Sequence, residues 1–191
     1  MKLENKDIKD ILYKELRKAY KIGEVPVACV IVDSNGKVIA KGHNKRETKK
    51  NALCHAEVIA INKACHKLHS WRLDDLSMYV TLEPCVMCTG AIIQSRINKV
   101  TFYAKDKRNG SIVSSNNLLD GIYTHKVDYE YIEDDHCSQI ITKFFKELRL
   151  KKGLKWSVLN RVIKHCKRTV LYRESYSLLM KKISIVFKGE W

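Results

Sequence analysis

The sequence predicts an α/β layered fold, because short apolar runs with strand character alternate with apolar residues at helical spacing. The first apolar run is followed by the turn signal Ser34-Asn35-Gly36, so the first two strands are expected to form a hairpin. Five segments predict strands: 25–32, 38–42, 78–82, 99–103 and 127–132. Four segments predict helices: 8–20, 58–68, 85–94 and 140–148.

The charge of the chain is strongly positive. Among its 191 residues, 36 Lys and Arg outnumber 21 Asp and Glu, which gives a formal net charge of +15. A field of this sign attracts polyanions, of which nucleic acid is the commonest. The alternative interpretation is a general bias towards lysine at the surface, and composition alone does not separate the two.

The basic excess is densest at the end of the chain. Residues 151–191 contain eleven Lys and Arg against two Glu, a net charge of +9. Apolar residues in this segment still recur at helical spacing, which predicts a basic helical hairpin rather than a disordered tail. We therefore expect a domain over residues 1–150 and a basic, helical C-terminal extension over 151–191, with Gly153 as a hinge between them.

Cysteine usage and the length of apolar runs indicate the compartment. The seven cysteines form no regular framework, and the first residues are charged and helical, unlike a signal peptide. The longest apolar run, 25–32, is too short to span a bilayer. We expect a cytoplasmic protein with no membrane association, in which a C-x-x-C motif indicates metal or redox chemistry before a disulfide.

Two short motifs predict a metal site. His55-Ala56-Glu57 opens the second predicted helix, and Pro84-Cys85-Val86-Met87-Cys88 opens the third. Cysteines three residues apart share one helix face, and a helix N-terminus favours their thiolate forms. His55, Cys85 and Cys88 would supply three ligands to one Zn²⁺ per chain, with water in the fourth position. Such an open position is typical of catalytic zinc, which lowers the pKa of water from ~15.7 to ~7.

Glu57 is the predicted catalytic residue. It lies two positions after His55, close enough to reach the water without ligating the metal. Its carboxylate can take a proton from the water and pass it to a ring nitrogen and then to a leaving amine. The pattern H-x-E…P-C-x-x-C is typical of zinc-dependent base deaminases. The alternative is a purely structural zinc site with Cys54 or His66 as the fourth ligand.

Beyond these motifs, residues 5–150 resemble the TadA-type tRNA adenosine deaminases of the cytidine deaminase-like superfamily. The resemblance rests on Glu24-Val25-Pro26-Val27, on Asn44 before the His-Ala-Glu motif, and on the run Thr81-Leu82-Glu83-Pro84-Cys85-Val86-Met87-Cys88. Four further positions or segments complete it: Gly90-Ala91, Ser95-Arg96-Ile97, Asp106 and Phe144-Phe145. The resemblance implies a three-layer α/β/α fold with a five-stranded mixed sheet, and a homodimer.

The resemblance also implies an activity and a set of contacts. The family converts adenosine to inosine at the wobble position of a tRNA anticodon, by attack on C6 of adenine with release of ammonia. Asn44 would then bond the flipped base, and Val27 would line its pocket. The remaining contacts to the anticodon stem-loop would come from Asp106, Arg108, Phe144 and Phe145. Because Phe144 and Phe145 are adjacent, one is expected in the core and the other outside.

Some features depart from the family, and other functions stay open. The chain has Arg108 where the family usually has Lys, a different segment over 51–54, and an extension beyond 150 with no counterpart. A zinc deaminase of a free base or nucleoside (guanine, cytidine or dCMP) would share the same metal residues. A non-catalytic, zinc-stabilised RNA-binding protein would not need Glu57. Asn44 as a turn residue and Asp106 as a loop cap are the structural alternatives for these two positions.

Overall fold

The computed structural model describes residues 5–169, in which strands and helices alternate as the sequence predicts. The strands are β1 Ala28–Val32, β2 Val38–His43, β3 Ser77–Val80, β4 Lys99–Phe102 and β5 Asp128–Tyr131. The α-helices are α1 Asn5–Lys21, α2 Arg46–Lys49, α3 Ala56–Leu68, α4 Val86–Gln94 and α5 Asp135–Thr169. A short 3-10 helix spans Leu118–Asp120. The short helix α2 is the α-helix that the periodicity did not predict.

The strands form one mixed sheet in the order β2-β1-β3-β4-β5. Strand β1 is antiparallel to both of its neighbours, whereas β3, β4 and β5 are parallel to one another. In the β1–β2 turn, the Asp33 carboxylate accepts from the N–H groups of Asn35 and Lys37, both at 2.9 Å. Gly36 there has a φ of +79°, which glycine adopts without steric cost. The predicted hairpin and five-stranded mixed sheet are confirmed.

Every residue of β1 is buried, and alternate side chains point to opposite faces of the sheet. On one face, Val30 belongs to the same core cluster as Leu12 of α1. On the other face, Ile31 belongs to a cluster that contains Ala60 of α3 and Ile92 of α4. Each of the Val, Leu and Ile side chains among them contributes about 1.5–3 kcal/mol on burial. Helices therefore cover both faces, and the predicted three-layer α/β/α architecture is confirmed.

Close packing between β2 and α3 depends on Gly42. A Cβ at this position would lie 2.5 Å from the carbonyl oxygen of Ala56 and 3.1 Å from the backbone nitrogen of Ala60. Any larger residue would force α3 away from the sheet. Gly42 thus sets the position of the helix that begins directly after His55.

The chain divides into two compact units, Met1–Phe144 and Phe145–Trp191. The described residues of the second unit, 145–169, are helical and belong to α5. The helix continues through Gly153, so the expected hinge is not observed there. A single interior glycine costs a helix only about 1 kcal/mol relative to alanine, which neighbouring helix-forming residues offset. The second helix of the predicted hairpin lies outside the described residues.

Crossing a bilayer requires a helix that is both long and continuously apolar. None of the helices within residues 5–169 combines these two properties.

Candidate active site

The predicted metal ligands lie at the beginnings of two helices. His55 is the N-cap residue of α3, and Cys85 is the N-cap residue of α4. Neither side chain makes a capping hydrogen bond to its own helix, so both are available to a ligand. Cys88 follows Cys85 by three residues and therefore lies on the same face of α4.

The three ligand atoms lie close together. His55 Nδ1 is 3.7 Å from Cys85 Sγ and 3.5 Å from Cys88 Sγ, and the three atoms lie within 4.8 Å of one another. In a tetrahedral site with Zn–S of ~2.3 Å and Zn–N of ~2.0–2.1 Å, the N···S separation is about 3.6 Å. Donor types and spacing therefore fit zinc. Within the described part of the chain, neither Cys54 nor His66 belongs to this group, so the group offers three ligands.

The charge distribution among the ligands favours a thiolate. A hydrogen bond with the Cys88 thiol lowers the pKa of Cys85 to about 4. The same bond raises the pKa of Cys88 above its usual range. A hydrogen bond with Cys85 likewise raises the pKa of His55. Negative charge held on sulfur at neutral pH makes this group suited to a cation.

Glu57 lies in the first turn of α3 and is 4% exposed. Its Oε2 has no hydrogen-bond partner within the described structure. Burial raises the pKa of its carboxyl group. A buried oxygen left without a partner costs about 1–3 kcal/mol, which a ligand or water at this point would recover. The unpartnered oxygen and the raised pKa suit a group that takes up and releases a proton.

Asn44 directly follows β2 and is buried. Its backbone N–H donates to the carbonyl of Val27 at 3.0 Å, and that of Lys45 donates to the carbonyl of Cys54 at 3.0 Å. Asn44 is thereby held between Val27 and the segment that leads into His55. Val27 itself is partly buried against the core. The structure thus places the two predicted pocket residues against each other, and the Lys45–Cys54 bond joins the end of β2 to the residue before His55.

Glu24 is a candidate to which the sequence assigned no role. It is 1% exposed, and its Oε2 accepts from Asn44 Nδ2 at 3.3 Å and from the N–H of Glu47 at 3.2 Å. Its Oε1 accepts from the N–H of Thr48 at 2.6 Å. Glu24 therefore connects Asn44 to the first turn of α2. The available signal was a charged residue directly before the apolar run 25–32.

Asp106 and Arg108 lie in the loop after β4. The Asp106 carboxylate accepts from the N–H groups of Arg108 at 3.0 Å and Asn109 at 3.1 Å, and from the Asn109 side chain at 3.2 Å. Asp106 thus caps its own loop, as the structural alternative expected. Arg108 is exposed. Contact of either residue with RNA stays a prediction.

Glu83 attaches this loop to the segment that carries Cys85. It is 3% exposed, and it accepts hydrogen bonds from the side chain of Ser114 and from four backbone N–H groups. Those groups and their distances are Asp106 at 3.2 Å, Ile112 at 3.1 Å, Val113 at 2.8 Å and Ser114 at 2.9 Å. Burial opposes ionisation of Glu83, but these hydrogen bonds, the Ser114 hydroxyl first, lower its pKa. The sequence assigned Glu83 no role, although it directly precedes the cysteine motif.

Phe144 and Phe145 differ in exposure. Phe144 is buried and meets the ring of Tyr20 edge-on, with centroids 5.9 Å apart and planes at 68°. Phe145 is 39% exposed. The expectation that one of the two would face the core and the other would not is confirmed. Contact with RNA bases stays a prediction for both.

Zinc-dependent base deaminases pair a His/Cys/Cys metal site with a glutamate that is not itself a ligand. The surroundings of His55 and Glu57 follow this arrangement on a three-layer α/β/α fold. Fold and site together define the class: the protein is a deaminase. The model of the MafB19-like deaminase family matches residues 4–149.

The sequence identities to individual relatives indicate which family of deaminases the chain belongs to. A tRNA-specific adenosine deaminase of Aquifex aeolicus is 43% identical over 73% of this chain and 92% of its own. A solved structure of a tRNA:A34 deaminase is 30% identical with a TM-score of 0.65, over 71% of this chain and 96% of that one. A guanine deaminase of Bacillus subtilis is 27% identical with a TM-score of 0.53, over 77% and 94% respectively. The chain belongs to the tRNA-specific adenosine deaminase family.

Proposed function

We propose that the protein hydrolytically deaminates adenosine to inosine at the wobble position of a tRNA anticodon. The observation that carries the reaction is the group of His55, Cys85 and Cys88, with the unpartnered carboxylate oxygen of Glu57 in the same site. The relatives support the substrate, since a protein 43% identical is a tRNA-specific adenosine deaminase. The net charge of +15 agrees with a polyanionic substrate.

His55 Nδ1 and the sulfurs of Cys85 and Cys88 would hold one Zn²⁺. Zinc in such a site supplies a nucleophile at neutral pH, because it lowers the pKa of water from about 15.7 to about 7. Glu57 acts as the proton shuttle: its carboxylate would accept the first proton of the water and deliver it to the ring nitrogen beside the attacked carbon. It would then accept the proton of the newly added hydroxyl group and deliver it to the leaving amine, so that two protons are taken up and two are released. Burial raises the pKa of the Glu57 carboxyl group, which favours the uptake of a proton by its carboxylate.

The flipped base would lie between Asn44 and Val27, next to the metal ligands. Asn44 has one buried side-chain oxygen without a partner in the described structure, which a substrate can meet. Asp106, Arg108, Phe144 and Phe145 are proposed to contact the anticodon loop. Of the two phenylalanines, exposed Phe145 is better suited to meet a base, since Phe144 packs on Tyr20.

Deamination of a free base, such as guanine, or of cytidine or dCMP is the alternative. It would use the same metal residues, and a guanine deaminase shares the fold at 27% identity. The higher identity to the tRNA-specific enzyme and the basic charge favour RNA.

The decisive experiment compares substrates directly. Purified protein is incubated with unmodified tRNAs, with anticodon stem-loops and with free nucleosides and bases, and inosine or the corresponding product is detected by chromatography. We expect inosine from an RNA carrying adenosine at the wobble position. Glu57→Ala should retain zinc and lose nearly all turnover, by about 10²–10⁴-fold or more. Turnover of a free base with none of RNA would replace the proposal with the alternative.

We further infer a homodimer in the cytoplasm, where tRNA is used. Both inferences follow from the family rather than from a contact within the described residues. Gel filtration with light scattering at micromolar concentration is expected to give twice the mass of the chain, and a monomer alone would contradict the inference.

A further inference from the structure

Two polar atoms at the candidate site are buried without a hydrogen-bond partner in the described structure. Among buried side-chain oxygens and nitrogens in the described structure, three have no hydrogen-bond partner, and two of them are Asn44 Oδ1 and Glu57 Oε2. Asn44 Oδ1 is a hydrogen-bond acceptor, and Glu57 Oε2 is one when its carboxyl group is ionised. Because an unsatisfied buried acceptor is costly, such atoms are suited to a donor on a bound molecule.

The orientation of the Asn44 amide is determined by its neighbour. An ionised carboxylate has acceptor oxygens and no hydrogen to donate, so the Asn44 atom that meets Glu24 must be the amide nitrogen. The Nδ2–Oε2 distance of 3.3 Å agrees with this assignment. With its nitrogen turned to Glu24, Asn44 keeps Oδ1 as an acceptor without a partner in the described structure, beside the second hydrogen of Nδ2.

Glu24 is itself held firmly. It is 1% exposed, and its two oxygens also accept from the backbone N–H groups of Glu47 and Thr48 in α2. Three N–H donors therefore converge on one buried carboxylate, which compensates for its burial. The carboxylate cannot rotate away from Asn44 without losing the bonds to α2.

We propose that Glu24 is a positioning residue that fixes the Asn44 amide so that the substrate pocket presents an acceptor at this point. The substrate atom that meets Asn44 Oδ1 is accordingly an N–H or O–H donor. Adenosine offers donors of this kind at its exocyclic amine and its ribose hydroxyls. The inference rests on the proposed function for the identity of the substrate, but not for the orientation of the amide.

Swapping the carboxylate and the amide between positions 24 and 44 tests the proposal. Glu24→Gln leaves one acceptor oxygen for three donors, so the Asn44 amide is no longer fixed, and kcat/KM should fall by about tenfold. Asn44→Asp places a second carboxylate against Glu24 and should lower kcat/KM at least as much. In the double variant, the new amide at position 24 can donate to the new carboxylate at position 44, whose other oxygen again faces the pocket. Activity of the double variant should therefore rise above that of Asn44→Asp alone.

The effect of Glu24→Gln on activity in the Asn44→Asp background distinguishes a positioning role from a structural role. Support of α2 by Glu24 does not depend on residue 44, so a merely structural role predicts that Glu24→Gln is harmful in both backgrounds. That result would overturn the proposal. Glu47→Gln serves as the matched control, because its exposed side chain pairs with Arg46 and does not touch Asn44. This control should keep the wild-type kcat/KM.

A second measurement does not need activity. The side-chain amide signal of Asn44, identified by its loss in Asn44→Ala, should exchange with solvent more slowly than those of exposed Asn116 and Asn117. In Glu24→Ala, the side-chain amide hydrogens of Asn44 should exchange with solvent faster than in the wild-type protein. Unchanged exchange in Glu24→Ala would overturn the proposal even if the protein does not act on tRNA. If the wild-type protein deaminates only a free base, the proposed function fails. The activities of the single and double variants at positions 24 and 44 are then measured with that base as the substrate.

Discussion

The Glu83 carboxylate accepts a hydrogen bond from the backbone N–H of Val113 at 2.8 Å, across thirty positions of sequence. Glu83 precedes the cysteine motif, whereas Val113 lies in the loop after β4. This bond and its neighbours attach the loop of Asp106 and Arg108 to the segment of the metal ligands.

Glu83→Gln should therefore destabilise the protein and loosen this loop. Hydrogen bonds to a charged group contribute about 1.5–3 kcal/mol, and a carboxamide has one acceptor oxygen where Glu83 has two. We expect urea unfolding to give a free energy lower by about 2–3 kcal/mol. Glu130→Gln is the control, because Glu130 lies exposed on β5 and forms a surface ion pair with Lys99. Equal stability of the two variants would show that Glu83 does not hold the loop.

Loss of a ligand should remove the metal. Cys85→Ser and Cys88→Ser are each expected to reduce bound zinc from one ion per chain to near zero, measured by mass spectrometry of the purified protein. Because zinc binds the folded state, the wild-type protein should be stabilised by about 4 kcal/mol when free zinc is a thousandfold above Kd. Cys65→Ser is the control: its sulfur lies 3.9 Å from the carbonyl oxygen of Trp71, outside the metal group. Full zinc content in the ligand variants would refute the assignment.

Acid should weaken the fold through Glu15. Burial opposes its ionisation, but hydrogen bonds from Lys18 at 2.7 Å and His43 at 2.8 Å prevail and lower its pKa from 4.5 to about 2. Since the folded-state pKa is below the unfolded-state value, this contribution is complete above about pH 4.5 and is lost as the pH falls to about 2.

The corresponding variant is Glu15→Gln. It should lower the unfolding free energy by roughly 2–3 kcal/mol at neutral pH and flatten its decline below about pH 5. Chemical unfolding at several pH values measures both effects. A decline as steep as that of the wild-type protein would rule out Glu15 as its source.

The basic extension should strengthen RNA binding. Removing residues 151–191, with a net charge of +9, is expected to weaken tRNA affinity and to reduce its dependence on salt. Each phosphate that is no longer neutralised changes the slope of log K against log salt by about 0.7–0.9. A charge-only variant, with Arg161, Lys164, Lys167 and Arg168 replaced by Gln, should act in the same direction. If truncation lowers the melting temperature while affinity is unchanged, the extension is a stabilising cap.

The elements and the metal ligands were predictable because their signals are local. Hydrophobic periodicity and the turn at Gly36 depend on residues that are close together in the sequence. The His-x-Glu and Cys-x-x-Cys motifs each lie in a single turn of helix. The short helix α2 has no buried residue, so it has no apolar stripe to reveal it.

Glu24 and Glu83 could not be found in the same way. Their hydrogen-bond donors lie 20 to 31 positions further along the chain, so their contacts exist only in the folded protein. Gly153 illustrates the opposite error, in which a local signal for a break was overridden by the helix around it.

The parallel pairing of β3 and β4 has a consequence for redesign. The segments that follow the two strands leave the same edge of the sheet, and Glu83 joins them mostly through main-chain N–H groups. Such groups are common to all residues except proline, so the requirements for particular side chains concern Gly110, where a Cβ would collide with the Glu83 carboxylate, Ser114, whose hydroxyl donates to it, and Asp106, whose carboxylate caps the loop. Transplanting residues 105–114 from another deaminase that keeps these side chains should therefore leave the metal ligands in place, and it would test whether the loop of Asp106 and Arg108 takes part in target choice.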